Sequence, residues 1–88
     1  MDITRSRLAI LEALQAAGAT DNLAEAERKA FVDDGAHLDL SGLGMDSLAR
    51  MEFCIALELS LGVTLLPAQL ALLESTAAVE RFILERLT

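Results

Sequence analysis

The sequence has no tryptophan and no tyrosine, and three phenylalanines are its only aromatic residues. Its apolar content, 53% of the chain, is therefore mostly leucine and alanine, which favours helices packed on helices. A single cysteine, Cys54, excludes an internal disulfide framework, and nothing points to an oxidising compartment. Cys54 lies in an apolar stretch, where a buried, inert thiol is expected. The single histidine, His37, reads as a surface loop residue, with no carboxylate arrangement suggesting a catalytic triad. One histidine and one cysteine do not make a metal site, which needs roughly three or four convergent ligands. Asp33, Asp34 and Asp39 do not have the spacing of an EF-hand loop, so no metal site is expected. Lysine and arginine number 7 against 14 acids, for a formal charge of −7. That balance argues against nucleic acid and suits basic protein surfaces. No uncharged apolar run approaches about 20 residues, so no membrane span is expected. Charges interrupt the first fifteen positions, which does not fit a signal peptide. A cytoplasmic monomer, built as a single domain over residues 1–88, is the expectation.

What is present is helical periodicity. Ile3 to about Ala17 places Ile3, Ile10, Leu11, Leu14 and Ala17 on one side, and Gly18 is a natural stop. Thr20 to Ser41 is a long connection. Asn22 followed by Glu25 fits a capping box, and Leu23, Ala26 and Ala30 share a face, predicting a short helix to about Val32 that Asp33-Asp34-Gly35 ends. Leu38 and Leu40 should pin the loop to the core. After Gly62 and a short apolar link, Pro67 suits the first turn of a short helix to about Leu73. Ser75 or Thr76 then caps a last helix whose apolar face is Val79, Phe82, Ile83 and Leu87, with Glu80, Arg81, Glu85 and Arg86 outward.

The most informative stretch is Leu43-Gly44-Met45-Asp46-Ser47-Leu48, which leads straight into a helix from Ser47 to about Leu61. Asp46 is a good N-cap, and Ser47 falls in the first turn, where free N–H groups and the positive helix end favour an anion such as a phosphate ester. At about 100° per residue, Leu48, Met51, Ile55 and Leu59 form one stripe. Phe53, Leu57 and Leu61 form an opposed one, with Cys54 at its edge. Either the helix is buried all round, or one stripe is core and the other a docking face. Glu52 and Glu58 flank the first stripe, which marks it as the one expected to face a partner.

The hexamer resembles the 4'-phosphopantetheine attachment motif of the acyl carrier protein family. The resemblance continues through Ala56-Leu57-Glu58 and Leu61-Gly62-Val63 to Leu66-Pro67 and the Ser75-Thr76 helix start, about half the chain from Leu40 onward. It implies an all-α fold: a small four-helix bundle of three long helices and one short, with a long, partly helical first loop. It also implies that Ser47 accepts a covalent 4'-phosphopantetheine arm from coenzyme A, attached by a phosphopantetheinyl transferase with magnesium. Asp46 would help place that metal. Partner-facing positions of the family map to Leu48, Met51, Glu52, Ile55 and Glu58, and Leu59 continues the stripe. Such a carrier has no catalysis of its own and presents thioester cargo to acyl- or aminoacyl-loading and acyl-processing enzymes of fatty-acid, polyketide or specialised pathways. An aminoacyl or peptidyl carrier would use the same arm. From a different class, an unmodified helical interaction module would use the stripe alone. The chain departs from the family's acidic docking face, with Ala49, Arg50, Leu59 and Ser60 where acids are common. That departure implies dedicated partners rather than the basic patches of fatty-acid synthase enzymes.

Overall fold

The computed structural model describes residues 3–36 and 38–87; the expectation for His37 lies outside them. Among the described residues five α-helices follow in order: α1 Ile3–Ala16, α2 Glu25–Asp34, α3 Ser47–Leu61, α4 Pro67–Leu70 and α5 Thr76–Leu87. Two 3₁₀ turns, Ala19–Asn22 and Leu40–Leu43, lie between them. Among the described residues there is no strand, only an isolated antiparallel bridge between Asp39 and Ser75. This is the expected bundle, three long helices and one short, with a helical segment in the first loop.

The core forms where the leucine-rich faces meet. α1 packs chiefly on α3, and to a lesser extent on α2 and α5. Ile10, Leu14, Phe53, Leu57, Val79 and Ile83 are fully buried, and Leu38 and Leu40 hold the long loop down as expected. The expected α1 face includes Ala17, which is only half-buried. Ala9 and Ala13 are buried as well and let α3 approach closely.

α2 differs from its expectation in start, cap and face. It begins at Glu25, and Asn22 ends a 3₁₀ turn instead of capping it. The Glu27 carboxylate accepts the Ala24 N–H at 3.2 Å, closing the helix start from inside the first turn. Ala26 is exposed and Ala30 half-buried, while Phe31 is buried at 1% exposure. The helix phase follows its largest apolar side chain, because one buried phenylalanine removes far more surface from water than two alanines.

α4 stops at Leu70, short of the expected Leu73, and turns at Ala71 and Leu72. Pro67 does occupy its first turn, and the Gln69 side chain accepts the Leu66 N–H at 3.0 Å. At the start of α5 the two candidate caps divide the work. Ser75 Oγ accepts the Ala78 N–H at 3.3 Å and is the cap. Thr76 is buried, and its Oγ1 accepts the Leu38 N–H at 3.0 Å, tying the loop to the helix. Glu80 is not outward: its carboxylate takes the Arg7 Nε–H at 2.8 Å, joining α5 to α1.

Candidate functional site

The approach to α3 is a turn followed by a cap. Leu43 is buried and anchors the 3₁₀ turn. Gly44 has φ +68°, a left-handed conformation, and leads through Met45 to Asp46 at the helix start. Asp46 is extended, at φ −85° and ψ −175°, and its Oδ1 accepts the Ala49 N–H at 2.8 Å. The capping expected of Asp46 is therefore met. One of its oxygens is engaged in the helix, so it is poorly placed as a base for the neighbouring serine.

Ser47 is the first residue of α3 and is exposed. The amides of Ser47 and Leu48 have no acceptor within the helix, because the first turn lacks preceding carbonyls. An anion esterified to Ser47 would meet those N–H groups and the positive helix end. Among the described residues no hydrogen bond from a base to the Ser47 hydroxyl is present. A hydroxyl without a base is a weak nucleophile.

α3 is not buried all round. Leu48, Met51, Ile55 and Leu59 are 57%, 45%, 51% and 83% exposed, whereas Phe53 and Leu57 are at 0%. Leu61 is half-buried. Glu52 and Glu58 are exposed beside the apolar stripe, and Glu58 accepts the Thr64 hydroxyl at 3.4 Å. Two further leucines, Leu66 at 55% and Leu72 at 82%, are exposed at either side of α4. Periodicity could not mark them, because α4 is a single turn with no stripe to read. Cys54 is buried on the core side, and burial pushes its thiol above its ordinary value.

Two grooves border the Gly44–Met45 turn that leads to the serine. A larger one of about 440 Å³ lies between the Gly44–Met45 turn, Arg50, and Leu70 and Leu73 around α4. A smaller one of about 240 Å³ lies between Ala17, Gly18 and Ala19 at the end of α1 and Asp46, Leu48 and Glu52. Arg50 reaches back along the helix, and its Nη2 donates to the Met45 carbonyl at 3.4 Å. No group of acidic, histidine and cysteine side chains able to hold a metal occurs among the described residues.

A family model for the phosphopantetheine attachment site matches residues 20–83, which is 64 of the 88 residues. The chain belongs to the phosphopantetheine attachment family. Domains of this family carry 4'-phosphopantetheine covalently, so the chain is a phosphopantetheine-bearing carrier protein. Carriers of this kind are generally non-catalytic and work with transferases and partner enzymes. Comparison with curated proteins and with solved structures returns no match. The matched span begins in the first 3₁₀ turn and runs into α5, so it contains Ser47 and both grooves' α3 wall but leaves out α1. The residues present fit the arm: the exposed Ser47 hydroxyl at a helix start would leave room for it, and grooves border the preceding Gly44–Met45 turn. No helix among the described residues is long and apolar enough to cross a membrane.

Proposed function

We propose that Ser47 is the attachment serine and that the chain, as a single domain over residues 1–88, is a stand-alone cytoplasmic carrier of acyl thioesters. The reading is carried by one observation: the exposed Ser47 occupies the first position of a capped helix directly after the Leu-Gly-Met-Asp turn. The bound arm supplies a terminal thiol, and that thiol bears the cargo. The chain's own residues do the rest. Asp46 holds the helix start in shape and is the residue through which the transferase's metal would be placed. Leu48, Met51, Ile55 and Leu59, with Glu52 and Glu58 at the rim, form the partner face. Apolar contact there supplies holding, and two carboxylates steer basic partners mostly through the on-rate. With Arg50 and Leu59 on that face, dedicated enzymes of a specialised pathway fit better than enzymes that read a dense acidic helix.

Incubation with coenzyme A, magnesium and a broad-specificity phosphopantetheinyl transferase should add one phosphopantetheinyl group, read by intact mass. Ser47→Ala should gain none. A Ser47→Ala protein that is still modified places the arm elsewhere, and a wild-type protein that stays unmodified favours an interaction module that uses the stripe alone.

A further inference from the structure

We propose that Arg50 is a positioning residue that holds the phosphodiester of the arm and lays the arm along the α4 side of Ser47. The inference rests on the assignment of Ser47 as the attachment point.

Helical side chains lean toward the N-terminus and cover the turn before their own Cα. Arg50 sits three residues after Ser47 on α3, and its guanidinium lies over the helix start, where Nη2 reaches the Met45 carbonyl. That bond is 3.4 Å long, beyond the 2.7–3.2 Å of well-made N–H···O bonds. It joins a cation to a neutral carbonyl and uses one of the guanidinium's five donors. A phosphodiester oxygen on the neighbouring serine would be a stronger acceptor, since charge-assisted bonds are shorter and roughly twice as strong.

The two grooves differ in charge. The α4-side groove is lined by Arg50 from α3, three residues after Ser47, with Asp39 and Glu74 contributed by the loops around it. The α1-side groove is lined by Asp46 and Glu52 and by no lysine or arginine among the described residues. Two acids line each groove, so a phosphodiester anion at Ser47 meets a compensating cation only on the side of Arg50. The larger volume and the apolar Leu70 and Leu73 lie on the side of Arg50. Once Arg50 grips the phosphate, the rest of the arm starts out over that groove.

The test compares apo and holo protein by ¹H–¹⁵N spectra after conversion with coenzyme A, magnesium and a transferase. In wild type, the Arg50 Nε–H resonance and the amides of residues 70–74 should shift, while those of residues 17–19 should not. Arg50→Gln should convert but lose the shifts at residues 70–74, and Arg50→Lys, which keeps the charge, should retain them in reduced form. An Arg50 Nε–H resonance that does not move in wild type overturns the inference without any variant. So does an unchanged pattern in Arg50→Gln, or a response centred on residues 17–19. A wild-type protein that gains no mass overturns the Ser47 assignment and this inference with it. A holo protein with no Arg50 response overturns the inference alone.

Discussion

At the residue scale, Gly35 shows how one position can serve two demands. It ends α2 at φ +71°, and a Cβ there would collide with the Arg7 guanidinium. Arg7 is fixed in that place by its ion pair with Glu80, whose side chains are only 17% and 13% exposed. Gly44 has a similar φ of +68° but open space where its Cβ would stand. Gly44→Ala should therefore cost only the left-handed strain, about 1–2 kcal/mol. Gly35→Ala should cost roughly 1 kcal/mol more, because Arg7 must leave Glu80. Thermal unfolding resolves the difference, since 1 kcal/mol moves the midpoint by about 4–8 °C in a domain of this size. Equal losses for the two variants would show that Arg7 yields freely. Cys54 gives a second residue-scale prediction. Burial raises its thiol above 9.0, so the unfolded chain loses that proton first as pH rises. The unfolded state then binds fewer protons, and stability should fall as pH climbs through about 9.0. Urea midpoints at pH 8 and pH 10 should show a fall in wild type that is smaller in Cys54→Ala. In the folded protein the thiol should resist alkylation at pH 8 and react only in denaturant.

At the scale of elements, α3 carries the sharpest contrast. Leu57→Glu puts a carboxylate where the side chain is at 0% exposure and should unfold the domain, a loss above about 4 kcal/mol. Met51→Glu changes a side chain that is 45% exposed and should cost within about 0.5 kcal/mol. It should nevertheless slow conversion by the transferase, because it places a charge inside the apolar stripe. Circular dichroism and a conversion time course check both. A Met51→Glu protein converted at the wild-type rate would remove this stripe from the transferase contact. α3 was also the most legible element. Asp46 and Gly62 mark its ends in the sequence, and both caps are local chemistry. Its two stripes could be assigned to core and solvent from the acids beside one of them. α2 was legible as a helix but not in its phase. Leu23, Ala26 and Ala30 form a reasonable stripe by spacing alone, and only the core decides that Phe31 goes in. Arg7 and Glu80 were likewise unreadable as a pair, because they are 73 positions apart and each looks like an ordinary surface charge. The grooves beside Ser47 join residues from separate elements, so no local pattern could announce them.

At the scale of the whole molecule, α1 lies outside the matched span yet supplies one wall of the core. Ala9, Ile10, Ala13 and Leu14 are all at 5% exposure or less. Removing residues 1–19 would expose the core face of α3 and free Glu80 from Arg7. A fragment of residues 20–88 should lose its cooperative melt and its dispersed amide spectrum, although it retains the whole family signature. Recovery on adding α1 as a separate peptide would show that packing, not chain continuity, is what the fragment lacks. A fragment that melts cooperatively alone would make α1 an accessory.

The placement of Ser47 and the exposed stripe on one unbroken helix sets a fixed offset. At 1.5 Å per residue, Ser47 and Leu59 stand about 18 Å apart along the axis of α3. Phe53 and Leu57 bolt that span to the core between the two ends, so the offset cannot stretch. With the arm on Ser47 as proposed, an enzyme that grips the far end would find the arm's root at a set distance, whichever cargo is aboard. Partners would then be sorted by how far their chemistry lies from their grip, with helix α3 as the gauge they must match.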